Sequence, residues 1–339
     1  MKTISFLQIL VIIFFLFLKI NSVFCEDNEQ KPVNKERNYS FSFGASVGLI
    51  SGLAQEYVYV SNQKDNLLSE LLWDLKPVFY LGLNIDFCRS DLLEKTGFFS
   101  SLSFKAGIPY DSGVIENRDW MNNSNRNELT HFSSHTNKTK EYFQTDVVIG
   151  VSIPVLKSFY LIPFISGSWM HFSFSGRNGN GNYIWYDPPE VSYQGQEVIR
   201  YKQDWLLIAA GLSIGTNILS PFAINISFQI SPFTYCIARD DHLSVWIPEF
   251  KYNNITYPAG WTNPRTYYDY TSFGLFIEPK ANISLTWKSL KFSLEYSYRF
   301  IDRTIGASFK DEGNGIVKND FAGAGISFMD FKFLFSIKI

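Results

Sequence analysis

Cysteine is scarce in this chain of 339 residues, which contains only three. Cys25 ends an apolar N-terminal segment, so Cys88 and Cys236 would remain after its removal, too few for a disulfide scaffold in an exported protein of this length. An excess of charge of one sign is also absent, since the formal net charge is −2 and no basic stripe occurs. The sequence therefore excludes a small disulfide-rich protein, and nucleic acid is not an expected partner.

Long apolar runs are confined to the N-terminus. A lysine, a long apolar run and a cleavage-like end predict a signal peptide over residues 1–25. A lipid anchor on Cys25 is the alternative, but Phe24 is bulky where the lipoprotein signal requires a small residue. Residues 26–38 form a polar leader. No linker rich in Pro, Gly or Ser divides residues 39–339, and no stretch there is long enough for a transmembrane helix.

Aromatic residues are abundant, with 32 Phe, 19 Tyr and 8 Trp. A transmembrane β-barrel accommodates them, because it shows apolar side chains to lipid and aromatic side chains to the membrane interfaces. Apolar residues alternate with small or polar ones in 41–49, 79–87, 98–108, 143–153, 206–214, 222–230, 273–285 and 292–300. With 159–175 and the C-terminal strand, this predicts an all-β, ten-stranded antiparallel transmembrane β-barrel over residues 39–339, in a bacterial outer membrane.

Charged residues inside this alternation have the parity of the barrel lumen. We expect them to pair and fill it; they are Lys105, Glu278, Lys280, Glu295 and Arg299. The predicted turns alternate between tight and long, and barrels of this kind place the long loops outside the cell. The predicted long loops are 110–142, 176–202, 238–266 and 302–320.

Two polar pairs with a spacing of two residues open two of these long loops. On an extended strand Asp240 and His242 share one face, and so do Asn117 and Asp119. A carboxylate beside an imidazole orients and charges a general base, so two facing pairs that hold a water predict hydrolysis. The parity of residues 222–230 would aim Asp240 and His242 at lipid. Either a bulge lies at Pro232, or the strand rises clear of the membrane, where inside and outside no longer constrain it.

A metal site is not expected. His131 and His135 have a zinc-like spacing, but they lie in a loop rich in Ser, Asn and Thr and not on a helix that would align the two rings.

The chain resembles the omptins, a family of outer-membrane endoproteases that includes surface plasminogen activators. The resemblance covers nearly the whole mature chain, and its specific parts occur in the family's order and spacing. They are Ser51-Gly-Leu-Ala-Gln-Glu56-Tyr-Val-Tyr59, Asp119-Trp120-Met121, Ser133-Ser134-His135, Tyr201-Lys202-Gln203, Asp240-Asp241-His242 and Gly323-Ala324-Gly325-Ile326.

The resemblance implies an Asp-x-Asp pair and an Asp-x-His pair that face each other across the barrel mouth with a nucleophilic water between them. His242 would then be the base, Asp240 its orienting carboxylate, and Asp119 the second carboxylate of the opposite pair. The first carboxylate falls on Asn117, which can hydrogen-bond a water but cannot take its proton. Glu116 is adjacent but has the opposite strand parity. Altered pH dependence and weakened or lost catalysis are all open.

Recognition also departs from the family. The glutamate that binds a basic P1 side chain is kept as Glu56, whereas its aspartate partner falls on Ala238, which predicts a relaxed preference for Arg or Lys. The family's lipid A contact falls on His171, which suggests altered lipid binding. The implied partners are peptide or protein substrates at the cell surface and outer-membrane lipids. No cofactor is implied, and we expect a monomer.

Two other functions stay open for the same barrel. One is a catalytically silent barrel that serves as an adhesin or surface receptor through its long loops. The other is a small porin, which a lumen filled with paired charges would disfavour.

Overall fold

A computed structural model describes residues 39–93 and 96–339 of the chain. The predicted signal peptide, residues 1–25, and the predicted leader, residues 26–38, lie outside the described residues. Within the described part, no helix has the length and apolarity needed to cross a membrane.

The described residues form 20 β-strands. In chain order they are β1 (Tyr39–Tyr59), β2 (Leu67–Leu93), β3 (Thr96–Gly107), β4 (Tyr110–Asp119), β5 (His131–Leu156), β6 (Phe159–Tyr183), β7 (Tyr186–Asp187), β8 (Glu190–Ser192), β9 (Glu197–Thr216) and β10 (Phe222–Ser231). They continue with β11 (Thr234–His242), β12 (Trp246–Ile247), β13 (Phe250–Tyr252), β14 (Ile255–Tyr257), β15 (Gly260–Trp261), β16 (Arg265–Ser272), β17 (Phe276–Trp287), β18 (Leu290–Ile301), β19 (Ile305–Asp311) and β20 (Ile316–Lys338).

The long strands close into a ring through antiparallel pairing. At one end the ring runs β1–β2–β3–β5–β6–β9–β10–β17–β18–β20 and returns to β1. At the other end, which we call the mouth, β4, β11, β16 and β19 take the places of β3, β10, β17 and β18. The all-β antiparallel barrel is therefore confirmed. The 20 strands include short strands in the loops and both parts of interrupted barrel strands. Their number therefore does not test the prediction of ten barrel strands.

The predicted alternation places apolar side chains outside and polar ones inside. On β1, Phe43 and Val47 are exposed while Ser46 is buried, and on β20, Phe333 is exposed while Lys332 is buried. An outward apolar band is the surface that a membrane barrel presents to lipid.

Paired charges fill the lumen at the level of this band, as predicted. Arg299 Nη2 lies 2.7 Å from Glu278 Oε2, and Lys332 Nζ lies 2.8 Å from Glu295 Oε1. The same network contains the pairs Lys105–Asp330, Arg299–Asp146, Lys280–Glu278 and Lys280–Glu295. Buried aromatic rings lie against these charges: the Arg299 guanidinium is 5.6 Å from the Phe276 ring centroid, and Lys105 Nζ is 5.2 Å from that of Tyr80. The lumen is a packed polar core.

A one-residue bulge at Pro232 corrects the parity of the strand that carries Asp240. Ile230 pairs with Ala210 on β9, but Thr234 pairs with Leu207, so four residues advance on one strand against three on the other. Even-numbered residues of β11 therefore face inward, which confirms the bulge as the alternative that applies.

The loop expected over residues 110–142 is largely strand. β4 and the first part of β5 occupy most of it, and only residues 120–130 connect them. A strand that rises above the apolar band needs no outward apolar residues, so its hydrophobic alternation disappears and sequence periodicity cannot detect it. Two other predicted loops carry short strands of their own, since β13 pairs with both β14 and β7.

Candidate active site

The two polar pairs lie in the mouth on strands that are not neighbours, since β4 pairs with β2 and β5 whereas β11 pairs with β9 and β16. On β11 the outward positions change from Tyr235 and Ile237 to Arg239 and Asp241, which form an ion pair. The inward positions of this rising segment carry Asp240 and His242. Both pairs consequently point into the opening.

The Asp240 carboxylate is in direct contact with the His242 imidazole. Asp240 Oδ2 lies 2.6 Å from His242 Nε2, and the Asp240 residue is 2% exposed, whereas the His242 side chain is 43% exposed. The His242 ring stands edge-on to Tyr267, with centroids 5.5 Å apart. Burial alone lowers the pKa of His242, but the Asp240 carboxylate outweighs burial, and the pKa is raised above its usual value. The imidazole is thus oriented, charged readily and open to the mouth on one side.

Asn117 and Asp119 form the second pair on the inward face of β4. The Asn117 Nδ2 group donates to Asp119 Oδ2 at 3.5 Å, and the Ser69 hydroxyl donates to Asn117 Oδ1 at 3.3 Å. Burial raises the pKa of Asp119, and its bonds to Ser69 and Asn117 and its attraction to His242 partly offset that rise. Glu116 faces outward and pairs with Arg118, which agrees with the parity expected for it.

One residue of each pair lines a cleft of about 170 Å³. Asn117 and His242 both line it, together with Ser133 and His135, which are themselves joined by a hydrogen bond of 3.1 Å. Apolar side chains, among them Leu71, Ile115 and Val245, complete the walls. The cleft is large enough for a few water molecules beside a peptide group.

His131 and His135, which have a zinc-like spacing, make different contacts. His135 Nδ1 bonds the backbone oxygen of Asn178, whereas the His131 ring packs against Tyr183 and Trp185. No group of three His, Cys, Asp or Glu side chains within 39–93 and 96–339 is placed to hold a metal ion.

Glu56 is buried on the inward face of β1. The residue is 2% exposed, and its Oε2 atom has no hydrogen-bond partner. Burial and the charges of Asp240 and Asp269 raise its pKa well above the usual value. Ala238 lies two residues before Asp240 and also faces inward.

Sequence reasoning missed Asp269 and Arg265, both on β16. In the sheet Asp269 pairs with Ala238, and Arg265 pairs with His242. No sequence signal could have found them. They are far from the Asp-x-His segment along the chain, and only the pairing of β11 with β16 brings them next to it. Burial raises the pKa of Asp269 to about 7, a bond from Ser308 opposes the rise, and the charge of Asp240 adds to it.

His171 lies on β6, away from the cleft. Its Nδ1 atom is 2.9 Å from Asp204 Oδ1 and its Nε2 atom is 3.1 Å from Glu141 Oε2. Two carboxylates therefore occupy both ring nitrogens of the residue that the resemblance places at a lipid contact.

The model of the omptin family matches residues 37–329 of the chain. The chain belongs to the omptin family. Membership supports an outer-membrane protease of the bacterial cell surface, which acts on peptide substrates and has its active site on the extracellular side.

One solved structure supports the fold. The outer membrane protease OmpT from Escherichia coli aligns over 92% of this chain and 99% of its own, with a TM-score of 0.72 and 17% sequence identity. At that identity the likeness concerns the fold alone. The translocator domain of the autotransporter NalP from Neisseria meningitidis aligns over 96% of this chain and 95% of its own, with a TM-score of 0.30 and 10% identity, too low to carry an argument. No curated protein sequence matches the chain.

Proposed function

We propose that this omptin hydrolyses peptide bonds with a water molecule held between Asn117 and His242 at the extracellular mouth. One observation carries the proposal: the two side chains line the same cleft, and a buried carboxylate holds the imidazole at 2.6 Å from behind. This is the arrangement that a positioned general base requires.

The proposed reaction begins with proton transfer from water to His242. Asp240 engages Nε2, so Nδ1 is the ring nitrogen left to take the proton. The hydroxide that forms attacks the scissile carbonyl carbon, and the tetrahedral intermediate collapses as the imidazolium returns its proton to the leaving amine. Asp240 and, at longer range, Asp119 stabilise the imidazolium, since both charges favour its protonated form.

Asn117 supplies position without charge. Its Oδ1 atom accepts from Ser69 and its Nδ2 group donates to Asp119, so the amide orientation is fixed on both sides. An amide in this place can orient the water, but it adds nothing to the electrostatic stabilisation of the imidazolium. We therefore expect a working protease that is slower than its aspartate-bearing counterpart would be.

The packed lumen argues against a porin, because buried charge pairs occupy the barrel interior at the level of the apolar band. The silent surface barrel has no such structural objection, so the experiment must separate it from the protease.

The test is a cleavage profile of the refolded barrel against a diverse peptide library, with His242→Ala run beside the wild type. Heat-modifiable electrophoretic migration verifies that both proteins are folded. We expect cuts by the wild type that disappear in the variant. Folded wild type that cuts nothing, or cuts that survive in His242→Ala, would leave the silent barrel as the better assignment.

A further inference from the structure

Arg265, the first residue of β16, lies next to the proposed general base. In the sheet it stands directly opposite His242, and residues opposite each other in an antiparallel pair have Cβ atoms about 5 Å apart. The hydroxyl of the next residue, Thr266, donates to the outward-facing Asp241, so Arg265 has the inward parity. Arg265 and His242 both line the cleft. A cationic side chain therefore stands beside the imidazole at the proposed reaction site.

The Arg265 guanidinium has no ion-pair partner within the described part of the chain. Arg239 on the adjacent strand differs, since it is paired with Asp241 at 2.9 Å. The pKa of His242 is lowered by burial, raised by Asp240 and lowered by the charge of Arg265, and the net result is a raised value. The guanidinium is thus within electrostatic range of the imidazole and available to a further group.

Arg265 is the one lysine or arginine among the described residues that line the cleft. Other polar side chains there are engaged within the protein. The hydroxyls of Tyr183 and Tyr193 are hydrogen-bonded to each other at 2.7 Å. The Thr262 hydroxyl oxygen accepts from the backbone N–H of Val245. Arg265 is therefore the side chain of the cleft best suited to bind an anion.

Peptide hydrolysis forms an anion at this place. When the hydroxide oxygen bonds to the scissile carbonyl carbon, the π electrons of the C=O bond move to the carbonyl oxygen, which becomes negatively charged. Asp119 and Asp240 favour the imidazolium but repel this oxygen. When the C–N bond breaks, the electrons return to form the C=O bond, and the imidazolium proton goes to the amine. The step therefore needs a donor that faces the carbonyl oxygen.

We propose that Arg265 is a catalytic residue that donates N–H hydrogen bonds to the anionic carbonyl oxygen of the tetrahedral intermediate. The proposal rests on the proposed function, which supplies the peptide carbonyl, and it deepens that function by naming the group that stabilises the negative charge. A guanidinium binds the charged oxygen more strongly than the neutral carbonyl of the bound peptide. Its effect therefore falls on the transition state and not on substrate binding.

The kinetic experiment uses a peptide that the wild type cuts, amidated at its C-terminus and free of Asp and Glu, so that the substrate carries no carboxylate. Arg265→Gln should lower kcat about 10²–10³-fold with KM little changed, the usual effect of removing one oxyanion donor. Arg265→Lys keeps the charge without the planar fork and should lose less. An unchanged kcat in Arg265→Gln, or a raised KM at unchanged kcat, overturns the inference.

Arg239→Gln is the matched control, because Arg239 lies on the outward face of the adjacent strand β11. It removes the same charge near the mouth and should leave kcat and KM unchanged. Heat-modifiable migration verifies that all variants are folded. A loss in Arg239→Gln as large as that in Arg265→Gln would assign the effect to net charge and overturn direct contact with the oxygen.

A binding measurement separates failure of this inference from failure of the proposed function. Labelled phosphinic peptides, in which an anionic tetrahedral group replaces the scissile amide, are titrated into the wild type and Arg265→Gln. They carry Ala, Phe or Lys before the phosphorus, so their choice does not depend on a cleavage result. Neutral hydroxyethylene isosteres of the same sequences are the control ligands.

The wild type should bind the best phosphinic peptide at least about tenfold more tightly than Arg265→Gln does, because hydrogen bonds between charged groups are the strong ones. The neutral isosteres should bind both proteins equally. This difference supports the inference even if the folded wild type cleaves nothing, a result that would remove the proposed function alone. Phosphinic peptides that bind both proteins equally, or bind neither, overturn the inference.

Discussion

Buried charged side chains occur in two regions of this barrel. They are paired with opposite charges in one region and left without such partners in the other. In the lumen at membrane level, Arg299, Glu278, Lys332 and Glu295 each have a partner of opposite sign at short range. In the mouth, carboxylates that are equally buried keep oxygens without any partner. The same barrel interior therefore contains a charge network that is closed and an acidic cluster that is open.

The difference teaches where to look for function. A closed network fills the lumen and holds strands in register, so its charges serve the folded state itself. An open cluster costs stability, and the folded state tolerates such a cost when the groups act on something outside the chain. Asp240 combines both features, because its Oδ2 atom contacts His242 while its Oδ1 atom has no hydrogen-bond partner.

The largest effect is expected at the dyad. Asp240→Asn and His242→Ala should each lower kcat by about 10²–10⁴-fold, the usual contribution of a general base, and the double variant should be little worse than the worse single one. An orienting carboxylate is useful only while its imidazole is present. Steady-state kinetics on one peptide measures all three proteins. If the kcat loss of the double variant equalled the product of the two single losses, Asp240 and His242 would act independently and would not form a dyad.

The next effect is on stability and should appear only in the lumen. Arg299→Met leaves Asp146 buried without its cation and leaves Glu278 with Lys280 alone, at 3.8 Å. This change should cost about 3–5 kcal/mol of unfolding free energy. Urea titration of the barrel in lipid vesicles measures it. The matched control is Arg200→Met, which removes an exposed ion pair with Glu197 and should change stability by about 1 kcal/mol or less. Equal effects of the two variants would contradict a closed, structural network.

Neutralising a buried carboxylate in the mouth should raise the free energy of unfolding, the opposite of the effect expected in the lumen. The pKa of Asp269 is raised from 3.8 to about 7, so the stability its neutral form gives is fully present below about pH 4 and is lost as pH rises through 7. Asp269→Asn should therefore stabilise the barrel by a few kcal/mol at pH 8, and the gain should vanish toward pH 4. The same urea titration at both pH values checks this. Destabilisation at pH 8 would show that Asp269 is already compensated.

The smallest effect is expected at Asn117. A carboxylate there adds negative charge near the imidazole, so Asn117→Asp should raise the pKa of His242 further and stabilise its protonated form in the transition state. Hydrolysis should increase several-fold at high pH, and the acid limb of the rate profile should move to higher pH, because the base must be neutral to act.

Turnover across pH for this variant and the wild type measures both changes. Glu116→Gln, on the outward face of the same strand, is the control and should alter neither. A silent Asn117→Asp would mean that position 117 does not face the reacting water.

The sequence by itself determined the barrel, its lumen charges and the two polar pairs. All of these are carried by the period of two along single strands, because alternate side chains share a face whatever the neighbouring strand is. Asp240 with His242 and Asn117 with Asp119 could thus be recognised before any partner strand was known. The same period does not identify the strands of the mouth, since above the membrane the lipid no longer imposes an apolar face.

Only the tertiary structure decided what lies opposite. The bulge at Pro232 turned Asp240 and His242 inward, the closure of the ring placed Asn117 and His242 on one cleft, and the pairing of β11 with β16 set Asp269 beside Ala238. The physical reason is that register between strands depends on bulges, turns and ring closure together, and a shift of one residue reverses every side chain. An acidic residue 31 positions further along the chain from Ala238 becomes its neighbour only once that register is fixed.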